Sequence, residues 1–104
     1  MILGIDLGAS TGWVILDNGR YVTGGTNVLK ITSKETRAAR WIKYRTWVVS
    51  ILDLTKPGAV AVEDVSRHSG VHAAHAYGYY RYVLEAECQL RNIPVISLSV
   101  GQWK

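Results

Sequence analysis

Short apolar runs alternate with two longer segments of helical periodicity along the chain. The runs are rich in isoleucine, valine and leucine, and polar or glycine-containing turns separate them, which is typical of buried strands. The predicted strands cover residues 2–5, 13–16, 26–31, 59–62 and 95–98, and the predicted helices cover residues 33–54 and 72–91. The pattern therefore predicts an α/β domain with the element order β-β-β-α-β-α-β.

Turn residues organise the first third of the chain. Asn18-Gly19 predicts a type I′ hairpin, because both central positions of that turn need positive φ. Tyr21–Thr23 would then return antiparallel to Trp13–Leu16, and Gly24-Gly25 is expected to break the chain before the third strand. These signals predict an antiparallel meander.

Capping signals set the expected bounds of the first helix. Thr32 and Glu35 form a capping-box pattern, so the helix is expected to begin near Ser33. Lys56-Pro57-Gly58 should end it. Helical spacing predicts a buried stripe, whose candidates are Ala38, Trp41, Ile42, Val48, Val49 and Leu52.

Acidic residues follow two of the predicted strands. A strand–helix–strand crossover makes Ala59–Val62 parallel to the first strand, so the two strands end at the same edge of the sheet. Asp6 and Glu63 then lie together at that edge, as a candidate pair of catalytic metal ligands. Asp64 alternates to the opposite face, where a helix cap or a solvated acid is the stronger interpretation, although it stays a candidate metal ligand.

Composition places the chain among globular proteins. Of its 104 residues, 48% are hydrophobic and 19% are charged, which predicts a single domain spanning residues 1–104. No apolar run approaches the roughly 20 residues that span a bilayer. The single cysteine, Cys88, allows no internal disulfide and fits a reducing, intracellular compartment.

Basic residues are concentrated before and within the first predicted helix. Six lysines and arginines fall between positions 30 and 45, with Glu35 as the one acid among them. A solvated helix face and a phosphate-contacting surface explain this cluster about equally well. Arg67 and His68, in the loop after Glu63, are further candidates. The predicted DNA contacts are Lys34, Arg37, Arg40, Lys43, Arg67 and His68.

Aromatic residues crowd the second predicted helix. Four tyrosines and Arg81 lie between positions 77 and 82, where they could stack on bases or pack against a second subunit. The interface is the favoured interpretation, with Tyr77, Tyr80 and Arg81 as its residues. His72 and His75 could share one metal ion, but no third ligand lies at the usual spacing, so zinc is disfavoured.

Several segments together resemble the RuvC-type Holliday junction resolvases, especially their compact phage relatives, within the RNase H-like superfamily. Asp6 lies in a segment similar to that group's first catalytic segment, and Glu63 lies in one similar to its second. The resembling segments are Gly4-Ile5-Asp6-Leu7-Gly8, Thr11-Gly12-Trp13, Ala61-Val62-Glu63-Asp64-Val65, Ala76-Tyr77-Gly78 through Arg81, and Ile93-Pro94-Val95.

The resemblance implies a fold and an activity. The fold would be an RNase H-like mixed five-stranded sheet, with three antiparallel strands and then two parallel ones, and helices packed on it. The activity would be hydrolysis of phosphodiesters in four-way junctions by a homodimer, in the cytoplasm of a bacterium or a phage-infected host. Asp6 and Glu63 would hold Mg²⁺ or Mn²⁺, with two ions about 4 Å apart in a complete site.

The chain departs from this group after the fifth strand. The group places one or two further acids on a later helix, whereas no acid follows Glu87 here. A C-terminally truncated domain with weak or no activity is therefore expected. Two alternatives remain: a catalytically inactive module that binds branched DNA, and a nucleotide-binding fragment like those of sugar kinases and actin-like ATPases, in which Asp6–Gly12 would be a phosphate loop.

Overall fold

A computed structural model of the chain describes residues 1–29, 34–64 and 70–98. Within these ranges the elements alternate as the hydrophobic pattern predicts, which confirms the α/β class. They are β1 (Ile2–Asp6), β2 (Ser10–Asp17), β3 (Arg20–Val28), α1 (Arg37–Thr55), β4 (Ala59–Glu63), α2 (Val71–Leu90) and β5 (Val95–Leu98).

The strands form a mixed sheet with the order β3-β2-β1-β4-β5. β1 pairs antiparallel with β2 and parallel with β4, and β5 pairs parallel with β4. Each parallel pair is separated in sequence by a helix, as a crossover connection requires. β1 therefore lies at the centre of the sheet, and the predicted parallel arrangement of β1, β4 and β5 is confirmed.

The β2–β3 hairpin has the predicted turn but a longer return strand. Asn18 and Gly19 have φ values of 53° and 77°, which confirms positive φ at both central positions. The prediction that Gly24-Gly25 breaks the chain is wrong, since β3 runs unbroken through both glycines. Gly24 lies opposite Val14, and a Cβ on it would come within 2.7 Å of the carbonyl oxygen of Trp13. These glycines permit close strand contact.

α1 begins later than the capping-box pattern predicts. Its N-cap is Thr36, whose hydroxyl accepts a hydrogen bond from the backbone N–H of Ala39 at 3.1 Å. The predicted cap, Thr32, lies outside the described residues. Glu35 pairs with Lys43 at 2.5 Å and takes no part in the observed cap. Neither helix in the described ranges combines the length and the apolar character needed to cross a bilayer.

The core lies between one face of the sheet and the two helices. Leu3 and Ile5 of β1 and Val60 and Val62 of β4 are completely buried on this face. The helices add a second layer, whose buried members are Tyr44, Val48, Ile51 and Leu52 of α1, and Tyr80, Leu84 and Cys88 of α2.

The predicted buried stripe of α1 is partly wrong. Ile42 is 65% exposed and Ala38 is exposed, whereas Tyr44 and Ile51 are buried in their place. The stripe follows positions 41, 44, 48, 51 and 52, which is the spacing of one helix face. The predictions for Trp41, Val48 and Leu52 are confirmed, whereas Tyr44 was missed because a tyrosine between a lysine and an arginine gives no clear apolar signal.

The other face of the sheet carries an apolar groove of about 500 Å³. Its lining residues alternate with the core residues along each strand, as the period of a strand requires. They are Ile2, Gly4, Val14, Leu16, Ala61, Ile96 and Leu98. We call this side the open face.

Candidate active site at the carboxyl edge of the sheet

Asp6 is the last residue of β1 and its position follows from strand alternation. Leu3 and Ile5 point into the core, so Gly4 and Asp6 belong to the open face, and Asp6 is exposed. Its register partner on β2 is Gly12, and a Cβ on Gly12 would lie 3.9 Å from the Cβ of Asp6. The missing side chain leaves space beside the carboxylate of Asp6.

A short turn carries the chain from Asp6 into β2. The hydroxyl of Thr11, which is completely buried, donates a 2.7 Å hydrogen bond to the carbonyl oxygen of Gly8. The backbone N–H of Leu29 donates to the carbonyl oxygen of Ala9 at 3.0 Å. Both bonds hold the turn in place and so fix the backbone from which Asp6 projects.

Glu63 ends β4, the strand beside β1. The register pairs Ile5 with Val62, so the next residues of the two strands, Asp6 and Glu63, are neighbours at the same edge. Glu63 is half-buried, and its carbonyl oxygen accepts a 3.1 Å hydrogen bond from the hydroxyl of Tyr77. α2 therefore fixes the end of β4 through Tyr77.

Asp6 and Glu63 also share a face. Ala61 lines the groove of the open face, and Glu63 follows two positions later on the same strand, so it belongs to that face as well. The two acids lie where the groove reaches the carboxyl edge of β1 and β4. This arrangement agrees with the sequence-based prediction of a convergent pair, while the catalytic role of the pair stays a prediction.

Asp64 lies apart from this pair. It follows Glu63 and so alternates toward the helices, where its Oδ1 lies 4.0 Å from the nearest guanidinium nitrogen of Arg81. Burial disfavours the charged form of Arg81, but its hydrogen bonds to Glu85 and Tyr77 outweigh that effect and raise its pKa. A charged neighbour on α2 accounts for the position of Asp64 without a metal ion, and its role as a metal ligand stays a prediction.

The donor set of the pair fits a hard divalent cation. Carboxylate oxygens are ligands that Mg²⁺ and Mn²⁺ prefer, and Mg²⁺ is commonly held by one or two protein carboxylates together with waters and substrate phosphate oxygens. Among the described residues, no cluster of three or more acids, histidines or cysteines suits a metal ion. Asp6 and Glu63 thus offer two suitable oxygen donors, and their role as metal ligands stays a prediction.

The predicted DNA contacts separate into four groups. Lys34 and Arg37 are exposed near the start of α1, whereas Arg40 is half-buried beside α2. Lys43 is paired with Glu35. Arg67 and His68 lie outside the described residues.

The predicted subunit interface on α2 needs correction at Tyr80. This side chain is 5% exposed, and its ring packs edge-on against Tyr44 with ring centroids 4.8 Å apart. A residue buried in its own protomer cannot form the predicted contact. Tyr77 and Arg81 contact the end of β4 and the side chain of Ser97, so their observed contacts are intramolecular as well.

Sequence reasoning missed two residues that shape the site. Gly12 lies in one of the segments that carry the family resemblance, but its place opposite Asp6 depends on the β1–β2 register. Tyr77 was assigned to an interface, yet its hydroxyl fixes the end of β4 through a bond between residues fourteen positions apart. No local sequence pattern indicates a contact between residues so far apart in the chain.

Comparisons with known proteins connect this arrangement to one fold. No protein-family model matches the chain, and no curated protein matches it. Among solved structures, RuvC of T. thermophilus in complex with a Holliday junction substrate superposes with a TM-score of 0.76 at 22% identity, over 95% of this chain and 62% of RuvC. A second Thermus thermophilus RuvC structure gives a TM-score of 0.70 at 22% identity, over 94% and 63% of the two chains.

A eukaryotic structure belongs to the same set. The yeast mitochondrial Holliday junction resolvase Ydc2 matches with a TM-score of 0.62 at 18% identity, over 94% of this chain and 50% of that one. The chain thus spans between half and two thirds of the proteins that it matches. Its mixed sheet and helices have the RNase H-like fold in the arrangement found in RuvC.

Proposed function

We propose that this chain is the core of a divalent-metal-dependent endonuclease that hydrolyses phosphodiesters in branched DNA. The observation that carries the proposal is the placement of Asp6 and Glu63 on neighbouring parallel strands, at one edge and on one face of the sheet. The fold supports it, because the structures that match the chain include RuvC in complex with a Holliday junction substrate and the Holliday junction resolvase Ydc2.

Asp6 and Glu63 would hold the metal and position it against the scissile phosphate. The two carboxylates bring negative charge to a place where a DNA phosphate must approach, so the site needs a cation to accept its substrate. When bound, a divalent ion lowers the pKa of a coordinated water and offsets the charge that develops on the phosphate. The space opposite Asp6, left by Gly12, leaves one side of that carboxylate accessible.

The same proposal includes Mg²⁺ or Mn²⁺ as the ion and a four-way junction as the substrate. It also includes a homodimer as the assembly and an intracellular location. Charge supports the substrate class. The formal net charge of +4 and the exposed Lys34 and Arg37 favour a polyanion over a neutral ligand.

Junction cleavage with matched variants tests the proposal. We expect the protein to nick a synthetic four-way junction in Mg²⁺ or Mn²⁺, and Asp6→Asn and Glu63→Gln to lower the rate on the order of 100-fold or more. Asp17→Asn is the control, because Asp17 is an exposed acid at the opposite edge, 3.8 Å from the terminal amino group. Equal activity of Asp6→Asn and the unmodified protein would refute the assignment.

One observation favours a second candidate, a branched-DNA-binding module without cleavage. The described residues provide two acids and no third metal ligand beside them, which is fewer ligands than a complete nuclease centre needs. This candidate predicts tight junction binding in EDTA and no nicking in any divalent metal. The cleavage assay, read beside binding to the same junction, separates the two.

A further inference from the structure

A second cleft, of about 420 Å³, lies between the amino-terminal parts of α1 and α2, away from the Asp6–Glu63 pair. Basic and aromatic side chains dominate its lining. They are Arg37, Arg40, Trp41, His72, His75 and Tyr79. We call it the α1–α2 cleft. Neither its two histidines nor its indole has a part in the proposed metal site.

The α1–α2 cleft opens at the same end of the molecule as the acidic pair. The helices run parallel, because Trp41 contacts Tyr79 near their starts and Arg91 pairs with Asp53 near their ends. Tyr77 contacts the carbonyl oxygen of Glu63, and His72 lies five residues earlier on α2, or about 7.5 Å along the helix axis. The acids lie on the open face, and the cleft lies on the helical side of the same edge.

Arg40 provides an unsatisfied donor in this cleft. Its Nε is buried and has no hydrogen-bond partner among the described residues. Its guanidinium carbon lies 5.8 Å from the ring centroid of Trp41, in cation–π range, which holds the head group at the cleft. Since buried N–H groups are nearly always paired in folded proteins, an acceptor supplied by a ligand would satisfy this one.

The surroundings of the donor favour an oxyanion as that ligand. Arg37 and Arg40 bring two permanent positive charges. Neither helix has an acidic residue in its first turn, and Glu35, just before α1, is paired with Lys43, so the positive ends of the helix dipoles add to this charge. Trp41 and Tyr79 already pack against each other, with ring centroids 4.2 Å apart and an interplanar angle of 32°, so the cleft suits a phosphate group better than an inserted base.

We propose that the α1–α2 cleft binds a backbone phosphate of the DNA strand, with Arg37 and Arg40 as its main contacts and His72 and His75 at its rim. The identity of the ligand as DNA rests on the proposed function, whereas the preference for an oxyanion rests on the cleft itself. A strand held here would cross the carboxyl edge of the sheet beside the acidic pair, so the cleft acts as an anchor outside the reacting centre.

Junction binding measured by fluorescence anisotropy in EDTA tests this anchor without cleavage. We expect Arg37→Gln and Arg40→Gln each to weaken binding on the order of tenfold and to lower the slope of log K against log salt by about one, as the loss of one phosphate contact requires. Arg20→Gln is the matched control, because Arg20 is exposed and adjoins the β2–β3 turn at the opposite edge. Thermal unfolding of each variant shows whether it is folded.

Histidine side-chain NMR tests the same site with small ligands. Comparison with His68→Gln assigns the imidazole signals of His72 and His75 in the spectrum of the unmodified protein. We expect a single-stranded tetranucleotide to shift both signals at concentrations well below those that inorganic phosphate needs at equal ionic strength. Equal potency of inorganic phosphate would overturn the assignment to DNA.

The outcomes separate this inference from the proposed function. If the unmodified protein binds the junction, while Arg37→Gln and Arg40→Gln behave like Arg20→Gln, the anchor is refuted and the nuclease proposal stands. If the unmodified protein binds no DNA and the tetranucleotide shifts neither histidine, both proposals fail.

Discussion

Tyr44 joins the two helices through a single polar atom. Its side chain is completely buried, and its hydroxyl donates a 2.6 Å hydrogen bond to the carbonyl oxygen of Tyr80. Burial raises the pKa of this hydroxyl well above its usual value, so Tyr44 remains a neutral donor at any ordinary pH. The bond lies beside the α1–α2 cleft and fixes the spacing of the two helices there.

Removing this hydroxyl should destabilise the protein. Tyr44→Phe retains the ring but loses the hydrogen bond, and we expect the free energy of unfolding to fall by about 1 kcal/mol. Tyr82→Phe is the control, since Tyr82 is 69% exposed, and its change should be within about 0.5 kcal/mol. Urea denaturation measures both, and equal values for the two variants would contradict the role of Tyr44.

At the scale of elements, close strand contact determines the shape of the hairpin. β2 and β3 approach through Gly24 and Gly25, and a Cβ on Gly25 would come within 3.2 Å of the indole of Trp13. A register shift between Ile15 and Leu16 bends the same hairpin. The sequence located the turn at Asn18-Gly19 because that signal is local. The continuity of β3 depends on the partner strand, so the glycines were misinterpreted as a break.

A methyl group at Gly24 should strain this contact. Because its Cβ would lie 2.7 Å from the carbonyl oxygen of Trp13, we expect Gly24→Ala to lower the free energy of unfolding by roughly 1–3 kcal/mol. Gly58→Ala is the control, since its Cβ would meet its nearest atom at an ordinary 3.6 Å. Thermal unfolding checks both variants, and a Gly24→Ala protein as stable as Gly58→Ala would show that the strands adjust freely.

At the scale of the molecule, a buried acid connects the carboxyl-terminal halves of the helices. Glu87 is 6% exposed, and it accepts hydrogen bonds from Arg91 at 2.9 Å and from Arg45 of α1 at 3.1 Å. The hydrogen bond from Arg91, with that from Arg45, lowers the pKa of Glu87 despite its burial. Arg91 also pairs with Asp53, so this network fixes the two helices at the end opposite to the α1–α2 cleft.

Stability should therefore depend on pH through Glu87. The pKa of Glu87 is lower in the folded state than in the unfolded state, where it is about 4.3. Its contribution to the free energy of unfolding is therefore complete above pH values near the unfolded pKa, and it is lost as the pH falls through the folded pKa. We expect Glu87→Gln to lower the free energy of unfolding by about 2 kcal/mol near pH 6. This difference from the unmodified protein should shrink as the pH falls toward about 3.

Denaturant unfolding across this pH range checks the prediction. Glu85→Gln is the control, since Glu85 is partly exposed and pairs with Arg81 one turn away, an arrangement that contributes only about 0.3–0.5 kcal/mol. A Glu87→Gln difference that stays constant with pH would mean that packing, and not charge, gives Glu87 its effect.

The order of elements and the convergence of Asp6 and Glu63 could be predicted from the sequence, because crossover connections and strand alternation follow simple geometric rules. The α1–α2 cleft could not. It depends on the parallel packing of two helices, which brings Arg40 beside Tyr79 and Tyr80 across some forty positions of sequence. The basic residues of α1 were candidate phosphate contacts, but which of them face α2 became clear from the helix packing alone.

Mn²⁺ binding followed by NMR tests the central claim, that Asp6 and Glu63 form one cation site. Mn²⁺ broadens NMR signals, and this effect falls steeply with distance from the ion. The account therefore predicts selective loss of the amide signals around Asp6 and Glu63 at substoichiometric metal. Asp6→Asn and Glu63→Gln should each abolish that selectivity, while Asp17→Asn should retain it. Broadening that is not concentrated at the carboxyl edge of the sheet, or that persists in both variants, would contradict the account.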